Sequence, residues 1–506
     1  MTGYLGIELG STRIKAVTVD ENHTPLSSGS YQWASRLENG VWTYPLSQVW
    51  EGLKAALLQI DHRESIRGMG VSGMMHGYLA FDEDWNLLTP FRTWQNTMTA
   101  PAAEALTKAF GFNMPQRWST THLYQAILNK EEHIPRVAHI TTLAGYVHYK
   151  LTGVNAVGIG EASGIFPIDS ATLDYDKTML ATFDAMSGLD KPLIDLLPRV
   201  LVAGESAGTL TKIGAAMLDG LLPAGISFAP PEGDAGTGMT ATNAVAPRTG
   251  NVSAGTSIFS MVVLERPLKK IYPEICLVTT PTGAPVAMVH CANCTNDSNA
   301  WISLLNETAT LFGATPNGDL YPKLYEKSLE GDADCGKVLV CNYLTGESVT
   351  HVNAGRPMVV RRPESQFTLA NFLRATLYST MATLKIGMDI LADEDVAIDS
   401  LTGHGGLFKT PLVGQKYLAA ACNAPVTCMQ TAGEGGPYGM ALLAAYAMKK
   451  QKNESLEDYL NHRVFAHVQG STVTPDEQDV VGFAAYMQEY RKLLEVEKTA
   501  IERISL

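Results

Sequence analysis

APPEGDAGTGMTATNAVAPRTGNVSAGTSIFSMVV, residues Ala229–Val263, carries a Gly-flanked acid, Asp234, ahead of a Gly-Thr-Ser turn at Gly255–Ser257. The turn lies between two stretches that read as strands, Gly250–Ala254 and Ile258–Leu264. The N-terminus has the same design: Leu5–Leu9 reads as a strand, Gly10-Ser11-Thr12 as a tight turn, and Ile14–Asp20 as the returning strand. One such turn is ordinarily only a hairpin turn. Two of them half a chain apart, the second preceded by Asp234, point instead to a shared ligand. Glycine admits close backbone approach and small hydroxyls donate, so two such turns facing each other would hold a polyphosphate from both sides. Asp234 taken alone reads either as the acid of an Asx turn or as a general base.

A chain of 506 residues predicts two large domains of about equal size, expected at 1–245 and 246–506. A composition with 45% hydrophobic and 18% charged residues is that of a soluble globular protein. The net charge of −13 argues against a nucleic-acid or anionic-membrane partner, which would need clustered Lys and Arg. A phosphorylated ligand must therefore be held by local backbone N–H groups and a metal. MTGYLGIELG has no basic leader and places Glu8 in its apolar stretch, so a cytoplasmic protein is expected. Seven cysteines at irregular spacing make no disulfide framework. Cys291 and Cys294 form a C-x-x-C pair with no partner set for zinc, and read as reduced thiols.

Hydrophobic spacing predicts a helix over 45–60, a buried strand at 66–72 and a Gly-rich end at Gly73–Gly77. Strands that end in such turns belong to an α/β layer, whose ligand crevices lie at strand C-termini, so Met75 and His76 fall on a rim. His76 alone reads more readily as a structural hydrogen-bonder than as a ligand contact. Trp94, core by default, is followed by Gln95 and Asn96 and suits an apolar platform with amides beside it, as polyols require. Residues 319–334 are polar and read as a loop. A long amphipathic helix is expected through Leu369–Leu391, a Gly turn at 403–406, and an apolar helix over 438–450.

The second half thus repeats the plan of the first. On the stretches GIELGSTRIK, GVSGMMHG, FRTWQN, EGDAGTG, NVSAGTS, GHGGLFKTP and EGGPYGMALLAA, taken in order, the chain resembles the FGGY family of carbohydrate kinases and, within it, the pentulose kinases. The resemblance implies an α/β fold of two actin-like (ribonuclease H-like) ATPase domains around a central cleft. It also implies transfer of the γ-phosphoryl group of ATP, with Mg2+, to a ketose hydroxyl, in a homodimer. D-xylulose is the first expectation, then L-ribulose, D-ribulose or sedoheptulose. A regulatory actin-like ATPase is the reading from another class. By similarity, Asp234 is the catalytic base and a sugar contact with Met75, His76, Trp94 and Gln95. Gly10, Ser11, Thr12, Arg13 and Lys15 make the first phosphate loop and Gly255, Thr256 and Ser257 the second. Gly405 and Gly406 lie under the adenosine, and Glu8 with Asp234 serves the metal. Lys15 reads equally as a solvent-facing residue of its strand. The chain departs from the family at Glu8, where an Asp is usual, at Pro231-Glu232, where glycines are usual, and at His122, Gln125 and Tyr378 in the family signatures.

Overall fold

Gly3–Leu9 and Arg13–Val19 are buried along nearly their whole length, as strands covered on both faces must be. The computed structural model describes residues 2–314, 319–433 and 435–504, so Glu434 of the EGGPYG stretch lies outside the described residues. The chain forms two compact units. One is Met1–Ala246 with Cys276–Val286 and Glu434–Val468; the other is Pro247–Ile275 with Ala287–Gly433 and Gln469–Leu506. Each unit therefore takes three segments of chain, where one continuous half apiece was expected.

In the first unit the sheet runs Ser227–Phe228, Ile66–Gly73, Gly3–Leu9, Arg13–Val19, Pro25–Gln32, with Glu232–Gly233 also on Ile66–Gly73. The N-terminal hairpin is antiparallel, whereas Ile66–Gly73 lies parallel to Gly3–Leu9, and Glu232–Gly233 parallel to Ile66–Gly73. Leu9 pairs with Gly73, and Gly73 with Gly233. Three strands consequently end at one level, and Gly10, Met74 and Asp234 are the first residues beyond it. Helix Leu46–Leu58 covers Arg13–Val19 and Pro25–Gln32.

The helix Gly435–Lys449 belongs to this sheet although it lies far along the chain, and it packs on Gly3–Leu9, Ile66–Gly73 and helix Asp234–Ala241. Its approach requires missing side chains. A Cβ on Gly6 would lie 1.9 Å from Pro437 O, and one on Gly439 would lie 1.9 Å from Thr237 O. This close packing brings Gly435–Lys449 into the first unit, whose longest segment ends at Ala246.

The second unit repeats the plan. Thr249–Ala254 pairs antiparallel with Ile258–Val263 and parallel with Ser400–His404; beyond it stand Val426–Met429 and Gly470–Val473. The long helix is Leu369–Asp393, with the Thr368 hydroxyl accepting from the Asn371 N–H at 3.2 Å. Residues 319–334, expected as loop, contain helix Leu320–Ser328. The Asp319 carboxylate caps it through the Tyr321 N–H, so a polar helix surface was mistaken for irregular chain.

No helix among the described residues is long and apolar enough to cross a membrane.

Candidate active site

Asp234 follows strand Glu232–Gly233 and opens helix Asp234–Ala241. The fold places it at a helix N-terminus, where backbone N–H groups favour a carboxylate. Its Oδ1 accepts the Met75 N–H at 3.2 Å, which brings two sequence-predicted residues together. Burial raises its pKa to about 6, against the backbone hydrogen bonds of Met75, Ala235 and its own amide.

Glu8 pairs in register with Lys15 on one side and Ser72 on the other. Its pKa is pushed up to about 7, first by burial and then by the Asp234 charge, while Lys15 acts in the opposite direction. Half-buried Lys15 is thus an electrostatic partner of this carboxylate, which the reading of it as a solvent-facing residue did not foresee. The longer side chain of glutamate reaches the start of helix Gly435–Lys449: a Cβ on Gly436 would lie 2.6 Å from Glu8 Oε2.

His76 is buried and has a left-handed backbone, φ 72°, uncommon for a residue with a side chain. Its Nδ1 donates to Gly164 O at 3.2 Å and its ring stacks on Trp118. A Cβ on Gly164 would come within 2.7 Å of both His76 Nδ1 and Met75 Cε, so the glycine makes room for both rim residues. Trp94 is tied to the same region through Ser11, whose Oγ accepts from Trp94 Nε1 at 3.2 Å. Gln95 donates its N–H to Thr93 Oγ1, while its Oε1 is buried with no hydrogen-bond partner among the described residues. Gly10 closes the first turn by donating to Arg13 O at 3.0 Å. Ser11 is half-buried; Thr12 and Arg13 are exposed.

Glu161 escaped the sequence reading, and Glu232 entered it only as a departure from the family's glycines. Glu232 is buried and accepts the N–H groups of Gly160 and Glu161 at 3.3 and 3.0 Å; burial pushes its pKa up to about 8 despite those bonds. Glu161 is fully buried, and burial, Glu232 and Asp234 together hold its carboxyl well above the ordinary range. The only signal was an acid inside the Gly-rich run GIGEAS at 158–163. His122, a departure from the family signature, is buried and held neutral: burial, then Arg92, lowers its pKa to about 3.

The other predicted group lies in the second unit. Gly255–Ser257 follows Thr249–Ala254, and Gly405 follows the parallel strand Ser400–His404 with Ser253 opposite His404. Gly405 has φ 97°, and a Cβ there would lie 2.5 Å from Ala254 O, so the two glycine turns are packed together. Among the described residues, no atom lies within 4 Å of a Cβ added at Gly255 or Gly406, so both present bare backbone. Cys291 and Cys294 are buried free thiols; burial raises both, Cys294 to about 12. Among the described residues no group of three or more His, Cys, Asp or Glu forms a metal cage.

The model of the N-terminal domain of the FGGY family of carbohydrate kinases matches residues 3–235, and that of its C-terminal domain residues 250–448. The chain is similar to the xylulose kinase of Haemophilus influenzae, 22% identical over 91% of this chain and 93% of that one. Its fold is similar to the solved structures of xylulose kinase from Rhodospirillum rubrum (18% identical, TM-score 0.80) and gluconate kinase from Lactobacillus acidophilus (16%, TM-score 0.81). Each covers 98% of both chains. With both domain models matched in order, the chain belongs to the FGGY family of carbohydrate kinases and is an ATP-dependent sugar kinase.

Proposed function

We propose that the enzyme transfers the γ-phosphoryl group of ATP to a hydroxyl of D-xylulose, as a cytoplasmic homodimer. The curated relative matched along nearly the whole chain is named for xylulose, which supports the substrate. The observation that carries the chemistry is Asp234, a buried carboxylate at a helix N-terminus with a pKa raised to about 6, held by Met75 and followed along the rim by His76. A neutral sugar hydroxyl is a poor nucleophile, so a base of this strength beside an apolar rim suits its activation.

In this reading Asp234 accepts the hydroxyl proton, while Met75, His76, Trp94 and Gln95 orient the sugar. The backbone N–H groups of Gly10–Arg13 and Gly255–Ser257, the hydroxyls of Ser11, Thr12, Thr256 and Ser257, and the cations Arg13 and Lys15 take the phosphate charge. The backbone at Gly405 and Gly406 lies under the adenosine. Two buried carboxylates that repel each other, without a full cage of ligands, fit Mg2+, which commonly takes one or two carboxylates plus substrate phosphates. Glu8 and Asp234 would hold it, and when bound it supplies charge neutralisation for the phosphates.

The test is sugar-dependent ADP release across D-xylulose, L-ribulose, D-ribulose, sedoheptulose, glycerol and gluconate, with Asp234→Asn beside the wild type. D-xylulose is expected to give the highest kcat/KM. The variant is expected to lose about 10²–10⁴-fold in kcat while nucleotide binding is retained. Near-normal turnover in Asp234→Asn would remove the assigned base, and a stronger response to another sugar would replace the assigned substrate.

A further inference from the structure

The carbonyl oxygens of both glycine-hydroxyl turns are gripped from behind. In the first turn, Trp33 Nε1 donates to Gly10 O at 2.7 Å and Tyr44 Oη to Ser11 O at 2.6 Å. In the second, Thr295 donates twice to Gly255 O, from its N–H at 3.1 Å and from Oγ1 at 2.7 Å, and the Cys294 N–H donates to Thr256 O at 3.1 Å. A trans peptide is planar, with its C=O and N–H pointing in opposite directions. Fixing the carbonyls of Gly10 and Ser11 on one side therefore turns the N–H groups of Ser11 and Thr12 to the other. Fixing those of Gly255 and Thr256 does the same for the N–H groups of Thr256 and Ser257. Two unrelated parts of the chain arrive at the same device: two adjacent amides aimed outward because their carbonyls are held inward.

The second grip departs from local preference. Thr295 immediately precedes helix Asn296–Leu311, where a threonine hydroxyl ordinarily accepts a helix N–H; here it makes no cap bond and donates to Gly255 instead. The segment that carries it is locked in turn. Glu347 Oε2 accepts the N–H groups of Ala292 and Asn293 at 2.9 and 3.2 Å, Asn293 Oδ1 accepts those of Leu344 and Thr345, and Asn342 Nδ2 donates to Cys294 O at 2.8 Å. The Cys291-x-x-Cys294 pair thus belongs to a strut under the turn, its thiols buried as packing groups.

We propose that Trp33, Tyr44 and Thr295 are positioning residues for phosphoryl transfer, holding the amides of the two turns in the direction the nucleotide phosphates require. The proposal rests on the reading of both turns as phosphate turns. The experiment is titration calorimetry of the full-length protein with ADP and, separately, adenosine, both with Mg2+. The wild type is expected to bind ADP more tightly than adenosine. Trp33→Phe, Tyr44→Phe and Thr295→Val are each expected to weaken ADP about three- to tenfold, the range of one net hydrogen bond. Adenosine affinity should stay within about twofold, since it touches neither grip. Thr295→Ser, which keeps the hydroxyl, is expected to restore ADP binding. A purely structural loss would weaken both ligands alike. An ADP-to-adenosine affinity ratio left unchanged by all three substitutions would overturn the positioning role; a wild type with no such preference would remove the phosphate-turn reading itself.

Discussion

Asp234 and Glu8 are carboxylates that the fold turns into weak acids, chiefly by burial. Because a base must be ionised to accept a proton, kcat/KM is expected to fall on the acid side and to level off above about 7, with the acid limb moving to lower pH as Mg2+ is raised, read from pH–rate profiles at two Mg2+ concentrations. Loss of activity on the alkaline side of that range, with none on the acid side, would contradict the assignment. The same shift acts on stability. The folded pKa of Glu8 is raised from 4.5 to about 7, so its contribution favours the fold below pH 4.5 and is lost as pH rises through about 7. Glu8→Gln removes that loss. In Mg2+-free buffer its Tm is expected to exceed that of the wild type at pH 8, by about 1–2 °C for each kcal/mol relieved, with the difference vanishing near pH 4.5. Asp234, Glu8, Met75 and His76 were singled out because short motifs mark them. Glu161 was not, and Glu232 was noted only as a missing glycine, because a single acid among glycines carries no sign that the fold will bury it beside others.

Helix Gly435–Lys449 shows how much an element depends on residues it lacks. Gly439→Ala puts a Cβ 1.9 Å from Thr237 O, a backbone atom that cannot move without shifting helix Asp234–Ala241. The substitution is expected to cost about 3 kcal/mol, read from urea unfolding. Because the displaced helix begins at Asp234, kcat should fall with it. Gly406→Ala is the contrasting case: its Cβ meets nothing within 4 Å, so stability should stay within about 0.5 kcal/mol of wild type. Adenosine binding, by contrast, should weaken if the ligand lies against that backbone. An unchanged adenosine affinity would move the adenosine elsewhere. At this scale the amphipathic helix Leu369–Asp393 was plain from its period, whereas helix Leu320–Ser328 was hidden by its polarity.

At the scale of the molecule, the first unit takes in Cys276–Val286 and Glu434–Val468. A fragment of residues 1–245 would leave the apolar faces of Gly3–Leu9 and Ile66–Gly73 without the helix that covers them. That fragment is expected to lack a cooperative thermal transition and to bind the dye ANS, whereas the full chain is expected to unfold cooperatively and not to bind it. A well-folded 1–245 fragment would show that the sheet is stable without its distant helix.

The sequence by itself determined the α/β repeat, the two glycine-hydroxyl turns, the family and the principal carboxylates. Local patterns encode these directly: strand and helix periods, turn residues, and an acid set among glycines. Only the tertiary structure decided which distant segments complete each unit, that Glu8 reaches the start of helix Gly435–Lys449, and that Trp33, Tyr44 and Thr295 grip the turns. The physical reason is that close packing and hydrogen bonding between residues far apart in the chain depend on where the backbone returns. No local period records that.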